Sequence, residues 1–328
     1  MPLASSTDDG SARLHLPLWV EPERNILSTA ARVRRRFRAR LFIPYLLLLP
    51  VSALMAVFIY WPMIQSVAIS TLSWDLVSSH GDFVGLRNYA ALLDDADFLQ
   101  AALNTALYIA ILVPVLVMAP LGIAQLLWSL RTSRAGPAYR AILFAPTVLA
   151  SVVSAVAWLW ILDPLQGILT WLAMRLGTGR IDWLGDPTLA FACIVAVSVW
   201  KVLGFNLLLY LAAFESVPHE IMEAARLDGA GPWTQFALIR VPLITPTLFF
   251  VLASTTAFVS DDVFQIVQVL TQGGPFGRTA NLLSFLYQRA FRFFQVGSGS
   301  AVAVLAFAAI VAVTWLQFRH VERRVHYG

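Results

Sequence analysis

Six long apolar stretches constrain this 328-residue chain more than any other feature of its sequence. Each has at least 20 residues, which at about 1.5 Å per residue is enough to cross a hydrocarbon core of about 30 Å. A backbone in lipid must satisfy its own hydrogen bonds, so these stretches predict an all-α membrane protein with six transmembrane helices. The predicted spans are Leu41–Ile64, Asn104–Trp128, Ala141–Leu162, Leu189–Phe214, Val241–Ser260 and Val296–Phe318.

The composition agrees with a membrane protein and excludes several other classes. Hydrophobic residues make up 59% of the chain and charged residues 13%, whereas about a quarter of the residues in a soluble domain are charged. The net charge of +4 does not indicate a nucleic-acid partner, because all the charged residues except Lys201 lie outside the spans. The single cysteine, Cys193, cannot form an internal disulfide or a metal site. The histidines also lie outside the spans, which disfavours a membrane-embedded enzyme: His15, His80, His219, His320 and His326.

Prolines inside the predicted spans indicate kinks, since neighbouring helices in a membrane bundle can compensate a broken backbone hydrogen bond. These prolines include Pro44, Pro50, Pro114, Pro120, Pro146 and Pro246.

The arginines predict the orientation of the chain. Sixteen of them lie in the N-terminal tail, the second connection, the segment between the fourth and fifth spans, and the C-terminal tail, and six lie on the opposite side. The positive-inside rule therefore places both termini in the cytoplasm, with tails at 1–40 and 319–328. The arginines before the first span also suit contact with anionic lipid. We expect residues 1–30 to be mostly disordered, and the apolar run that follows is too long for a signal peptide.

Three connections are predicted on the external side. The first, 65–103, contains "FVGLRNYAALLDDADF", in which Leu86, Tyr89, Leu92 and Leu93 have helical spacing and predict a short interfacial helix. The second, 163–188, has turn signals in "DPLQG" and "LGDP". The third, 261–295, has a turn at "LTQGGP" and then "LLSFLYQRAF", which is consistent with another interfacial helix.

The segment "EAARLDGAGPWTQFALIRVP" lies between the fourth and fifth spans and is too polar to cross a bilayer. Good helix formers run from Glu220 to Leu227, and Gly229 then allows a left-handed turn. Pro232 suits the first turn of a second short helix. This pattern predicts helix, turn and helix on the cytoplasmic side, with Ala224 and Ala225 leaving a shallow surface for another protein. On shape alone, the pattern also fits an ordinary interfacial connector.

The spacing of this segment resembles the signature loop of permease subunits in binding-protein-dependent ABC importers. Glu-Ala-Ala is followed by three residues and Gly, then nine residues and Ile, and finally Pro242, with Val241 in place of the usual Leu. Further stretches, "ILFAPTVLASVVSAVAWLWIL", "SVWKVLGFN", "VLTQGGP" and "LYQRAF", are similar to the carbohydrate-uptake branch of that family. From about Arg40 onwards the chain most resembles the first permease subunit of sn-glycerol-3-phosphate systems.

The resemblance implies a type I importer permease, with a transmembrane domain at 100–316 and a coupling loop at 215–240. It implies a second permease subunit, two cytoplasmic ATPase subunits and an extracytoplasmic solute-binding protein as partners, and alternating access as the mechanism. ATP and magnesium are expected on the ATPase, because this chain has no G-x-x-x-x-G-K-[ST] phosphate loop. No cofactor or catalytic residue is expected in this chain. The residues implied in ATPase coupling are Glu223, Ala224, Ala225, Asp228, Gly229, Ile239 and Pro242.

The candidate substrate path centres on Lys201, the chain's single lysine, which falls mid-span. It could snorkel, pair with a partner subunit, or act as a cavity cation for an anionic or polyol ligand. Its neighbours Trp200, Gly204 and Leu207 fall on one helical face.

In the fifth span, Thr256 and Ser260 stand four residues apart, and either could hydrogen-bond its own helix backbone instead. The resemblance places both, with Gly204, where the family's maltose permease lines its cavity. Asp261 and Asp262 suggest acid–base chemistry at first sight, but we expect them to end the span as solvated charges.

A self-sufficient, ion-coupled secondary transporter is the alternative function. It would need coupling-ion sites at mid-membrane and often has an internal repeat. Lys201 alone supports it weakly, and no repeat is evident in the sequence. The sequence does not identify the solute, which can be a sugar, a polyol or a glycerol phosphate.

Overall fold

The computed structural model describes residues 44–321, apart from 76, 79 and 131–134. The predicted tail at 1–40, the disorder expected at 1–30 and residues 322–328 lie outside the described residues. The chain divides into two compact units, one ending at Ile64 and one beginning at Gln65. The helices are α1 (Pro44–Ile69), α2 (Arg87–Leu93), α3 (Ala96–Ser129), α4 (Gly136–Val148), α5 (Ser151–Ile161), α6 (Ile168–Arg175), α7 (Pro187–Glu215), α8 (His219–Leu227), α9 (232–243), α10 (Thr245–Leu270), α11 (282–292) and α12 (Val296–Val321).

The described residues contain five helices that are long and apolar enough to span a membrane, and a sixth span if α4 and α5 count as one. Six spans are therefore consistent with the structure. The third, predicted as an unbroken Ala141–Leu162, is bent by 102° between α4 and α5. Leu149 and Ala150 are extended there, three residues after Pro146. A proline ring crowds the preceding turn, but the bend is far sharper than the kink expected from the sequence.

The predicted bounds of the fifth span, Val241–Ser260, are wrong. The spanning helix α10 begins at Thr245 and continues to Leu270, so Asp261 and Asp262 lie inside it and do not end it. Val241 belongs to α9, the helical run before α10, whose central part Gln235–Arg240 is π-helical. A hydropathy reading stops at the two aspartates because it cannot detect the buried partners that keep the helix intact.

The second unit is held together by α3, α7 and α10, which share one apolar core. Polar side chains add specific links within it. Asn206 of α7 is 1% exposed, and its Nδ2 donates to the Leu116 carbonyl of α3 at 2.8 Å and to Thr255 Oγ1 of α10 at 2.9 Å. In a membrane the alternative for such an amide is an unsatisfied donor in hydrocarbon, so this contact fixes the relative position of three spans.

A smaller core lies where α3 begins, around α2, α11 and the start of α12. The helix predicted around Leu86–Leu93 is confirmed as α2. Only part of its predicted apolar face points inward, since Leu92 is 2% exposed while Leu86 and Leu93 are mostly exposed. The helix predicted in "LLSFLYQRAF" is confirmed as α11, and Phe285 packs against Phe98 of α3. A short antiparallel ribbon, Leu72–Ser73 with Asp82–Phe83, precedes α2.

The connection at 163–188 has the predicted turns and an additional helix, α6. Asp163 accepts hydrogen bonds from the backbone N–H groups of Gln166 and Leu165. These two bonds favour the ionised carboxylate and hold the pKa of Asp163 below its usual value. Gly177 closes α6 at a φ of +82°.

Candidate functional site

The segment predicted to couple to an ATPase, residues 218–242 and called the coupling segment below, has the predicted helix, turn and helix. Its first helix, α8, ends where Gly229 adopts a φ of +80°. Gly229 N–H donates to the Arg226 carbonyl at 3.0 Å, and Ala230 N–H donates to the Ala225 carbonyl at 2.9 Å. These two bonds form a Schellman motif, in which the left-handed residue favours glycine. A side chain at position 229 would meet open space, so the requirement for glycine comes from the backbone and not from crowding.

The second helix, α9, is tied back to this turn. Gln235 is 6% exposed, and its Nε2 donates to the Ala230 carbonyl at 2.7 Å. The segment therefore has a defined shape of its own, with the turn held from both sides.

The predicted coupling residues divide between the two faces of the segment. Glu223, Ala224, Asp228, Gly229 and Pro242 are exposed, whereas Ala225 is 8% exposed and Ile239 is half-buried. The expected shallow surface is therefore formed by Ala224 alone, because Ala225 faces inward beside Met222 on the inner side of α8.

Large apolar side chains lie on the exposed face of the segment. Leu227 is 90% exposed, Leu238 70% and Trp233 67%. The carboxylate of Glu223 stands on the same short element as Leu227. A charged group among exposed apolar side chains is typical of a surface that another protein covers.

Lys201 has its ionic partner in this chain. Its Nζ lies 3.8 Å from Asp262 Oδ1, and the two side chains are only 10% and 18% exposed. Ser151 Oγ donates to the same carboxylate oxygen at 2.6 Å. The expectation that Asp261 and Asp262 are both solvated is therefore wrong for Asp262. Asp261 is exposed and accepts a hydrogen bond from Gln265 Nε2 at 2.9 Å.

The same cluster holds both sides of the break between α4 and α5. Thr147 Oγ1, at the end of α4, donates to the Lys201 carbonyl at 2.9 Å. Ser151, the first residue of α5, is bound by Asp262. The break therefore lies between two residues that are anchored to α7 and α10. The sequence predicted a solvated Asp262, because nothing in the spacing of Asp262 and Lys201 indicates that the two residues are in contact.

The other candidate path residues on α7 pack within this chain. A Cβ at Gly204 would collide with the Leu143 carbonyl oxygen, so glycine permits the close crossing of α7 and α4. Leu207 is 0% exposed in the main core. Trp200 is 37% exposed and packs edge-to-face against Trp158 of α5, with ring centroids 5.6 Å apart.

The candidate hydroxyls of α10 differ from each other. Thr256 Oγ1 donates to the Leu252 carbonyl at 2.9 Å, so it makes the bond to its own helix backbone that was the alternative to a place in the cavity. The same oxygen accepts a hydrogen bond from Gln317 Nε2 of α12 at 2.8 Å. Ser260 is 8% exposed, and its Oγ has no hydrogen-bond partner among the residues that the structure describes.

The sequence matches a family model and the sequences of known proteins, and these matches agree with each other. Residues 89–327 match the family model of the binding-protein-dependent transport system inner membrane component. The chain is 33% identical over 288 residues to the sn-glycerol-3-phosphate transport system permease protein UgpA of Agrobacterium fabrum, covering 87% of this chain and 97% of the relative. It is 35% identical over 288 residues to the UgpA protein of Brucella abortus, with the same coverage.

Solved structures show the same fold. A chain from the crystal structure of a bacterial alginate ABC transporter, in complex with an alginate pentasaccharide-bound periplasmic protein, matches with a TM-score of 0.80 at 20% identity. The match covers 89% of this chain and 98% of that chain. A second structure, of a bacterial ABC transporter involved in the import of alginate, matches with a TM-score of 0.77 at 20% identity, covering 89% of this chain and 99% of that chain. This chain therefore belongs to the family of inner-membrane components of binding-protein-dependent transport systems, as a permease subunit of an ABC importer.

Proposed function

We propose that this chain forms half of the translocation pathway of an ATP-driven importer of a sugar or a glycerol-3-phosphate-like solute. A second permease subunit forms the other half, and two ATPase subunits, which bind ATP and magnesium, dock on the coupling segment at 218–242. An extracytoplasmic binding protein delivers the solute. The exposed, glycine-closed helix pair of the coupling segment is the observation that carries this proposal.

The chemistry of the coupling segment supports a protein partner. Its exposed face carries the carboxylate of Glu223 and three apolar side chains that are each at least 67% exposed, namely Leu227, Trp233 and Leu238. Exposed apolar side chains on a segment that is too polar to cross the bilayer are consistent with a surface that a protein partner covers. The Schellman turn at Gly229 keeps the two helices in fixed relation, so a partner that binds them can push on both.

The orientation follows from this role. The ATPase works in the cytoplasm, so the coupling segment faces the cytoplasm and α2 and α11 face outward. An even number of spans then places both termini in the cytoplasm, in agreement with the arginine distribution.

The solute class rests on the relatives, which are named as sn-glycerol-3-phosphate permeases. The pathway residues proposed from the sequence are Trp200, Lys201, Gly204, Leu207, Thr256 and Ser260. Lys201 is weaker support for an anionic solute than an unpaired cation would be, because the carboxylate of Asp262 neutralises its charge. Much of the selectivity therefore resides in the binding protein, and a sugar or another polyol phosphate remains within the proposed class.

Transport by this arrangement proceeds by alternating access. ATP binding closes the ATPase dimer, the two coupling segments move together, and the spans open outward to accept the solute. The solute shifts this equilibrium only through its different affinity for the two states.

The test is to substitute the coupling segment in the assembled transporter. Glu223→Ala removes a charged contact worth about 1–3 kcal/mol and should weaken ATPase recruitment about tenfold. Gly229→Asp should weaken it more, because it disturbs the backbone of the whole segment. Gly177→Asp is the matched control, since Gly177 has a φ of +82°, open space around it and the same motif after α6.

The measurements are ATPase co-purification and stimulation of ATP hydrolysis by the loaded binding protein. Membrane insertion and pairing with the second permease should stay at the parental level in all three variants. Normal recruitment and stimulation in both Glu223→Ala and Gly229→Asp would mean that the segment is only a connector. Uptake driven by an ion gradient without any ATPase would instead establish the secondary-transporter alternative.

A further inference from the structure

Arg240, at the end of the π-helical turn in the coupling segment, contacts two spans through one buried side chain. It is 6% exposed. Its Nη1 donates to Gln125 Oε1 of α3 at 2.6 Å. Its guanidinium carbon lies 5.3 Å from the ring centre of Trp128 on α3 and 5.7 Å from that of Phe214 on α7. A planar guanidinium can stack on rings and donate in its plane at the same time, which an ammonium cannot do.

An aromatic ladder leads from the surface of the coupling segment to the same place. It consists of Trp233, Phe236, Phe214 and Trp128, whose successive ring centroids are 5.8, 6.4 and 5.8 Å apart in edge-to-face contacts. Trp233 at the outer end is 67% exposed, whereas Phe214 and Trp128 at the inner end are 1% and 9% exposed. Edge-to-face packing is a preferred arrangement of aromatic rings, so the ladder has defined geometry from one end to the other.

The chain itself provides a third connection. Residue Ile244 alone separates α9 from α10, so the helix that carries Arg240 leads directly into the fifth span. The coupling segment is therefore joined covalently to α10 and clamped by Arg240 to the ends of α3 and α7. These three helices supply most of the main core. Closely packed interiors transmit a displacement rather than absorb it.

We propose that Arg240, together with the aromatic ladder, is the positioning element that passes movement of the coupling segment into α3 and α7. This rests on the proposed ATPase docking, but it assigns a separate role, since Arg240 is buried and belongs to the inner side of the segment. The signature spacing gives no hint of it. Arg240 occupies the unspecified position between Ile239 and Val241.

The experiment measures uptake and ATP hydrolysis together in proteoliposomes that contain the complete transporter and its binding protein. Arg240→Gln removes the charge and the stacking group. Gln125→Met, on α3 and away from the exposed face of the coupling segment, removes the acceptor oxygen at nearly constant volume. Both variants should recruit the ATPase normally. In both, the amount of solute imported per ATP hydrolysed should fall by at least about fivefold. Because Gln125 acts through its hydrogen bond with Arg240, the double variant should be little worse than Arg240→Gln alone.

Arg319→Gln is the matched control, because Arg319 also stacks on an aromatic ring, that of Trp315 at 5.3 Å, but on α12. It should import the parental amount of solute per ATP. A parental ratio in Arg240→Gln and Gln125→Met would overturn the inference, as would loss of ATPase recruitment in both, which would make the contact part of the docking surface. Failure of the proposed docking has a different signature, namely normal recruitment in Glu223→Ala and Gly229→Asp.

Discussion

Removal of one charge from the Lys201–Asp262 pair should destabilise the chain far more than removal of both. At 3.8 Å the attraction between the two charges is about 4 kcal/mol at an effective dielectric constant of about 20. Desolvation of two side chains that are only 10% and 18% exposed offsets much of that gain. The pair as a whole therefore contributes little net stability, but either charge left alone in the core is costly.

We expect Lys201→Met and Asp262→Asn each to lower the free energy of unfolding by about 3–5 kcal/mol. The double variant should lie within about 1 kcal/mol of the parent, apart from small packing differences. Asn at position 262 keeps an acceptor for the Ser151 hydroxyl, so this substitution isolates the effect of the charge. Asp261→Asn is the matched control, because that carboxylate is exposed, and it should change the free energy by less than about 0.5 kcal/mol.

Cys193, the single thiol of the chain, is half-buried and reports unfolding by its reaction with a thiol-specific dye. The assay is a denaturant titration of the detergent-solubilised chain, with dye reaction measured at each step. Single variants that behave like Asp261→Asn would refute the buried ion pair. A double variant as unstable as the worse single variant would refute the coupling between the charges. The double variant also separates the proposed transport role of Lys201 from its structural one, because it removes the lysine and leaves no uncompensated carboxylate.

Two further predictions concern helix crossing and topology. Gly204→Ala should destabilise the chain by about 1–3 kcal/mol, since its Cβ would meet the Leu143 carbonyl oxygen. Gly122→Ala, at a helix position with open space around it, should be neutral or stabilising by up to about 1 kcal/mol. Equal unfolding free energies in the two variants would contradict the close crossing. Reporter fusions at Gly328 and after Asp97 should report opposite sides of the membrane, and the same side for both would contradict the six-span orientation.

The number of spans and the shape of the coupling segment could be predicted from the sequence because both depend on local properties. A run of apolar residues must form a helix in lipid wherever it occurs in the chain. Gly229 ends α8 through two backbone bonds that reach no further than five residues, so the turn is encoded within the segment itself. The same holds for α2 and α11, whose spacing was sufficient to indicate helices, although not which side chains face inward.

The tertiary structure alone decided where the third span breaks, how far the fifth continues and which residues stabilise both. Asp262 can lie inside α10 because Lys201 and Ser151, distant in the chain, are brought to its carboxylate. Arg240 is buried because Gln125, 115 residues earlier, provides an acceptor. Hydropathy and spacing describe a charged residue only by its neighbours in the chain, whereas the free-energy cost of burying its charge depends on the partners that lie near it in space. Only the packing of α3, α7 and α10 brings those partners together.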